Sequence, residues 1–268
     1  MEAGASRVIS LAIVGAGNVA THLAKAFAAA PEVNLMAVIS RTLSSAESVV
    51  NQLGGSVIAS NDYGVLRQLR PDVVLISLAD KALADVVAAI GSLDYNPLVL
   101  HTSGTLPKEM LHAVSGRTGI LYPLQTFSRT AQVDVAAVPF FNEAESDSDL
   151  AIIDRLASAI SRSVHHADAA HRRVLHIAGV FSSNFPNILL ECTADVLASA
   201  GYELEVVEPL VRAMVDKAFA IGPHAAQTGP ARRGDLDVIE RQKVALPSDL
   251  REIYSVLTDK IINSHKNE

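Results

Sequence analysis

Residues 11–27 read LAIVGAGNVATHLAKAF. An apolar run of four ends at Gly15, and Val19, Leu23, Phe27 and Ala30 then recur with close to helical spacing. Gly15, Gly17 and Ala20 therefore form a G-x-G-x-x-A pattern between a strand and a helix. The first glycine permits a tight turn, the second lets a ligand approach the backbone, and the small third residue lets helix and strand pack closely. A helix N-terminus presents free N–H groups and a partial positive charge, so the group expected over this turn is a pyrophosphate. Asn18 and Val19, which open the helix, join Gly15 and Gly17 in the expected cofactor set.

The surrounding sequence repeats the theme. The runs VISLAIV, VNLMAVIS, DVVLISL and PLVLH between residues 8 and 101 alternate with helical segments, and Leu83, Val86, Val87 and Ile90 form a second stripe. Near-continuous apolarity is what strands covered on both faces by helices require, so an α/β fold with a doubly wound, mostly parallel sheet is expected. GILY (119–122) and VPFFN (138–142) add two strands, a helix carrying Leu150, Ile153, Ala157 and Ile160 follows, and SVHH (163–166) supplies an edge. Beyond Asp168 strand-like runs stop. Helical spacing covers Ala170–Ala200, Pro209–Ile221, Gly234–Leu246 and Asp249–Ile262, so residues 1–167 read as a dinucleotide-binding domain and 168–268 as an all-α domain. Pro186 stands inside the first of these helices and is expected to kink or interrupt it.

Composition narrows the function. The 268 residues carry 22 Lys+Arg against 29 Asp+Glu, a net charge of −7 that offers no broad basic surface for nucleic acid. At 49% hydrophobic and 19% charged the chain buries enough apolar surface to fold. Its most apolar long segment, Val174–Leu190, is interrupted by His176, Ser182, Ser183, Asn184, Pro186 and Asn187, so no membrane span is expected. One cysteine, Cys192, and a start without a basic, then apolar leader suit a reducing, cytoplasmic setting.

The second strand selects among dinucleotides. An NAD site places an acid about 20 residues past the glycines, on the ribose 2′-hydroxyl. Here Ser40, Arg41 and Thr42 occupy that region, Ser40 standing 25 positions beyond Gly15. Two hydroxyls and a guanidinium suit a 2′-phosphate, so NADP (NADPH) is the expected cofactor. Ser40 and Thr42 suit capping of the next helix as well. S-adenosylmethionine sites use a similar loop but also want the acid.

These residues place the first half in resemblance to the Rossmann domains of the superfamily of pyrroline-5-carboxylate reductase, ketopantoate reductase and 6-phosphogluconate dehydrogenase, deazaflavin-dependent NADP reductases included. The whole chain is similar to a bacterial group of NADP oxidoreductases with a helical C-terminal domain of unknown function. VGAGNVATHLAKAF, ISLADKAL, HTSGTLP, LYPLQTFS, HIAGVFSSNF and AQTGPARRGD carry the likeness along nearly the whole length. The resemblance implies a Rossmann fold, hydride transfer between NADP(H) and a small-molecule substrate, and a homodimer through the C-terminal helices. A non-catalytic NADP(H)-binding sensor and a pyrroline-5-carboxylate reductase-like imine reductase are the alternatives.

Ligands of open α/β sheets lie outside the carboxyl ends of the strands, which points to Leu78, Ala79 and Asp80 and to His101 and Ser103. Asp80 reads foremost as an N-cap and Ser103 as a turn residue or a ligand contact. Gln125 could orient a substrate carbonyl or carboxylate, whereas Tyr122 and Phe127 read as core. On the helix opening the second domain, His176, Ser183 and Asn184 fall on one broad face. His176 is the candidate general acid, with Ser183, Asn184 and Ser103 as further catalytic candidates. Related enzymes carry a lysine on this helix that is missing here. In the resembling reductases a loop like 227–235 closes the substrate site, which nominates Thr228, Gly229 and Arg232, with Asp235 as a helix cap. No metal site is expected, because His165, His166 and His171 lack the spacing of a helical zinc pair.

Overall fold

The structure, a computed structural model, describes residues 7–128 and 132–266. Its strands are β1 (Ile9–Val14), β2 (Val33–Ile39), β3 (Ile58–Ser60), β4 (Val73–Ile76), β5 (Leu98–His101), β6 (Arg117–Pro123), β7 (Pro139–Ala144) and β8 (Ser163–His166). They form one sheet in the order β3-β2-β1-β4-β5-β6-β7-β8. All neighbours pair in parallel except β6 and β7. Chain order reverses between β1 and β4, so the topological switch point lies where the glycine turn leaves β1.

Alternation explains the apolar runs. Leu11 and Ile13 of β1 enter one core cluster while Ala12 and Val14 enter the other, and β4 divides in the same way between Val73 with Leu75 and Val74 with Ile76. The first cluster lies under α1 (Asn18–Ala29), α2 (Leu43–Val50) and α5 (Asp147–Ile160), the second under α3 (Val65–Leu69) and α4 (Asp80–Ile90). Each fully buried Leu, Ile or Phe contributes about 1.5–3 kcal/mol, so covering both faces makes these strands the stable centre of the unit. The α1 stripe runs along Ala20, Leu23, Ala24 and Phe27, one residue round from Val19, because alanines allow the helix to sit close on the sheet. Ser146 caps α5 by accepting from the Asp149 amide at 3.1 Å, and the buried Asp149 carboxylate receives Arg117 Nε at 2.9 Å.

All strands precede Asp168, which caps α6 (Ala169–Gly179) by accepting from the His171 amide at 2.8 Å. The chain divides into two compact units at Phe181–Ser182. α6 thus belongs to the sheet unit, fourteen residues of chain beyond the end expected at residue 167 from the strands alone. A π-helical turn, Val180–Asn184, lies between α6 and α7 (Phe185–Ala198), and Pro186, which has no N–H to give an i−4 carbonyl, follows directly on that turn, with Asn184 before it already helical. The second unit continues with α8 (Glu208–Ile221), the short α9 (Pro223–Ala226) and α10 (Pro230–Arg233), α11 (Leu236–Ala245) and α12 (Arg251–His265). No described helix is long and apolar enough to cross a membrane.

Candidate functional site

Gly15 cannot be another residue. Its φ is +134°, and a Cβ there would stand 2.1 Å from the Ser77 carbonyl oxygen at the end of β4. The turn is pinned on both sides, Gly15 N–H donating to Ile39 O at 2.7 Å and Ser77 N–H to Val14 O at 2.8 Å. Gly17 differs: its φ of −78° suits any residue, and nothing lies within 4 Å of where its Cβ would be. Space is what it provides. No side chain caps the N-terminus of α1, whose first residues are Asn18 and Val19, so these backbone N–H groups face outward while Ala20 is buried below. The Asn18 side chain is used elsewhere, donating to Phe127 O at 3.0 Å, and His22 Nε2 bonds Ser128 O at 2.9 Å. These contacts fasten the segment after β6 against α1.

At the end of β2, Ser40 N–H donates to Ser60 O at 3.0 Å, and Thr42 is the N-cap residue of α2. Its hydroxyl donates to Ser45 Oγ at 2.7 Å and does not cap the helix backbone. Arg41 is exposed and has no ion pair among the described residues. Its charge acts on Tyr63, whose phenol burial pushes up and Arg41 draws back down. Between α1 and α2 lies a polar cleft of about 220 Å³, lined in part by Asn18, Thr21, Lys25, Ser44 and Ser45.

The turns beyond β4 and β5 meet each other. Leu78 is half-buried and Ala79, the N-cap position of α4, is exposed. Asp80 is the first residue of α4 and caps nothing, which corrects the expected N-cap: its carboxylate receives the Thr105 hydroxyl across the gap. Thr102 Oγ1 likewise donates to Ser77 Oγ at 3.2 Å. His101 is buried with both ring nitrogens engaged, Nδ1 accepting from Ser103 N–H at 3.1 Å and Nε2 against Pro107 O at 3.3 Å. Burial pushes its pKa down to about 4, so the ring is neutral at pH 7 with its proton on Nε2. Ser103 Oγ accepts from the amides of Thr105 and Leu106, both at 3.1 Å, and so folds the turn that carries Gly104.

Four residues to which sequence reasoning gave no functional role, Tyr122, Glu143, Arg172 and Lys108, complete this end of the sheet. A Cβ on Gly104 would come within 2.7 Å of the Tyr122 ring, so the phenol of β6 lies directly on the turn. The Tyr122 hydroxyl stands 3.4 Å from His176 Nδ1 on α6. Arg172, one helical turn before His176, is buried and ion-paired with Glu143 of β7. It donates as well to Ala167 O and to Leu106 O, each at 3.2 Å, and so clamps the Ser103–Leu106 turn from below. Lys108 Nζ, 3.0 Å from Glu143, completes the ionic cluster. Only the HxSG spacing hinted at any of this.

Other expected residues are occupied locally. Gln125 is exposed and its Oε1 accepts from the Thr126 amide at 2.8 Å. Ser183 and Asn184 belong to the second unit, in the π-turn before α7. So do Thr228, Gly229 and Arg232. Gly229 has φ +101°, Thr228 O accepts from the Gln227 amide group at 3.0 Å, and Arg232 donates to Gln227 O at 2.7 Å, which shapes the loop from within. Asp235 holds the N-cap position of α11, but its carboxylate pairs with Arg233 at 2.9 Å and caps no amide.

A glycine turn at the switch point, an uncapped helix above it and a polar ring of turns beyond β4, β5 and β6 define a nucleotide-binding α/β protein of the Rossmann type with a helical C-terminal unit. Residues 10–103 match the family model described as NADP oxidoreductase, coenzyme F420-dependent, and residues 138–261 match a domain of unknown function, DUF2520. The solved structure of a "putative NADP oxidoreductase" of Bacteroides fragilis shares 31% identity over 95% of this chain and 98% of that one, with a TM-score of 0.84. The chain belongs to that NADP oxidoreductase family. A Streptomyces aurantiacus imine reductase (14% identity, 96% and 98% of the two chains, TM-score 0.64) has the same fold. So does a Plasmodium falciparum pyrroline carboxylate reductase solved with NADP bound (11% identity, 97% and 100%, TM-score 0.60). No curated protein matches the chain.

Proposed function

We propose that the protein is an NADPH-dependent reductase of a small metabolite and works as a homodimer in the cytoplasm. The observation that carries this reading is the contrast between the two glycines: Gly15 is demanded by the fold, whereas the open space at Gly17 serves nothing in the fold and suits a pyrophosphate. Residues around the turn fit that group. Backbone N–H groups of Asn18 and Val19 at the uncapped start of α1 would receive the pyrophosphate. Ser40, Arg41 and Thr42 would hold the 2′-phosphate, and the unpaired guanidinium favours NADPH over NADH. Leu78, Ala79, Asp80, His101 and Ser103 border the end where the nicotinamide would lie, Ser103 and His101 by shaping the turn.

When bound, the dinucleotide supplies a hydride. The chain supplies position and a proton. His176 is the residue from which the proton comes, with Ser183 and Asn184 as further polar groups, while Gln125, Thr228, Gly229 and Arg232 would orient the substrate. The dimer reading rests on α7 and α8, neither of which buries a residue and which together expose Phe185, Ile188, Leu210, Met214 and Phe219. The cytoplasmic reading rests on a single cysteine, Cys192, which has no partner in the chain for a disulfide.

Parallel fluorescence titrations with NADPH and NADH at one fixed salt concentration test the cofactor assignment. Tight NADPH with weaker NADH is expected. Equal affinities overturn the 2′-phosphate site, and binding of neither overturns the dinucleotide reading.

A further inference from the structure

At the carboxyl end of β6 the Tyr122 hydroxyl is set between a turn that requires glycine and an imidazole. The ring rests on Gly104, is 7% exposed, and meets His176 Nδ1 at 3.4 Å with the two rings tilted 54° at 6.5 Å. Neighbouring polar groups have internal work. His101 has both nitrogens bonded, Ser103 Oγ accepts two amides, and the Thr105 hydroxyl goes to Asp80. On the sheet side of this end, that leaves the phenol and the imidazole as a donor pair.

Resting on the reductase reading above, we propose that Tyr122 passes the proton to the substrate, that His176 replenishes it, and that the substrate is a carbonyl compound reduced to an alcohol, not an imine. The carbonyl carbon accepts the hydride, the C=O π pair moves to oxygen, and that oxygen takes the proton as the Tyr122 O–H bond breaks. His176 Nδ1–H then restores the phenol as its Nε2 takes a proton from solvent. Carbonyl, NADPH and one proton become alcohol and NADP+.

Charge argues for the substrate class. An iminium already carries its proton and its positive charge, so it needs hydride alone. A carbonyl oxygen develops negative charge and needs both a donor and a nearby cation. Burial pushes the Tyr122 phenol up, which keeps it protonated at neutral pH, and the Arg172 charge draws it part of the way back. The same buried guanidinium opposes a cationic substrate and favours the transient phenolate. The charged group on the phenol is Arg172 of α6, which is paired to Glu143 of β7 and also acted on by Glu109 and Arg173, while Glu143 pairs in addition with Lys108. His101 beneath is neutral, and Asp80 of α4 is held by Thr105.

The first arm of the test needs no ligand. In the full chain labelled with [13Cζ]tyrosine, the Tyr122 resonance, assigned by its loss in Tyr122→Phe, should be displaced by His176→Gln at fixed pH 7, because the imidazole stands 3.4 Å from the phenol. A Tyr122 resonance that His176→Gln leaves in place overturns the pair. In the second arm NADPH consumption is followed with pyruvate, glyoxylate, benzaldehyde and 1-pyrroline. A carbonyl probe whose reduction falls about 100-fold or more in Tyr122→Phe, with NADPH affinity within about twofold of the parent, supports the proposal. Turnover of 1-pyrroline alone, of no carbonyl probe, or of a carbonyl at parental rate in Tyr122→Phe overturns it. Failure of the parent to bind NADPH strikes the reductase reading instead, and the ligand-free spectra still judge the pair.

Discussion

The helices packed on the sheet and α7 and α8 of the second unit treat their apolar faces in opposite ways, while α6, the last helix of the sheet unit, buries only Arg172. In the sheet unit α1 buries Ala20, Leu23, Ala24 and Phe27, α4 buries Leu83, Val87 and Ile90, and α5 buries Ile153, Leu156, Ala157 and Ile160. In the second unit α7 and α8 bury no residue, although α7 carries Phe185, Ile188, Leu189 and Leu190 within its first six positions, and Phe219 of α8 is 90% exposed. The sheet unit closes a core with its own residues. The helical unit leaves the apolar side chains of α7 and α8 outside its own core.

The sharpest way to break this contrast is at Gly15. Valine there must clear a carbonyl oxygen at 2.1 Å and adopt φ +134°, so Gly15→Val is expected to unfold the sheet unit or destabilise it by more than about 4 kcal/mol, read from the denaturation midpoint. Gly17→Val, in open space at an ordinary φ, should keep the parental midpoint and lose NADPH. An unchanged midpoint for Gly15→Val would mean that the turn is not built as described. Next in size is the helical face. Leu210→Glu with Phe219→Glu replaces two exposed apolar side chains, each worth about 1.5–3 kcal/mol if a second copy covers it and counted twice by symmetry. Sedimentation should then show a dimer become a monomer, and an unchanged mass would place the contact elsewhere.

His101 tests the sheet unit from within. Its pKa is about 4 in the fold against 6.5 in a free chain, so the unfolded state binds more protons between those values. Stability is therefore fully present above about pH 6.5 and is lost as pH falls towards 4, by roughly 3 kcal/mol in all. His101→Asn keeps an acceptor for the Ser103 amide and removes the titration, so its stability should be flatter across this window. Urea midpoints at pH 7, 5.5 and 4.5 measure the difference, and parallel curves for variant and parent would show that His101 charges freely in the fold.

What was legible in the sequence follows the same division. The glycine turn could be read because its demands are local: a strand end, a φ that only glycine takes freely, and a helix start. The runs that became β1, β2, β4 and β5 could be read because burial on both faces leaves few polar residues in them, Ser10, Asn34 and the terminal His101 being the exceptions. β3 could not, since it has three residues and Ile58 is 42% exposed. Tyr122 read as core because its burial is real, while the hydroxyl's partner, His176, lies 54 residues away and is set by packing alone. Arg172 sits in a polar stretch, HRR, that looks solvated, and only the position of Glu143 shows that it is buried. Asp80 has the chemistry of an N-cap, but the helix begins on it, and Thr105 claims the carboxylate. Residue type identified these groups, and the juxtaposition of β5, β6, β7 and α6 decided their roles.

The smallest expected effect is at Arg41, and it separates the two readings of the β2 end. If Ser40 and Thr42 serve only α2, removing the guanidinium should leave both dinucleotides equally bound. The Thr42 hydroxyl, however, goes to Ser45 and not to a helix amide, so capping does not account for this end of β2. A charged hydrogen bond contributes about 1.5–3 kcal/mol, and Arg41→Ala should therefore weaken NADPH by roughly 10- to 150-fold while NADH changes little. Raising the salt concentration should shrink the parent's preference for NADPH and leave the variant's ratio nearly fixed, because an exposed guanidinium acting on a phosphate is screened. Equal losses for the two dinucleotides would move the 2′-phosphate contact away from Arg41, towards the polar cleft that Lys25, Ser44 and Ser45 line beside it.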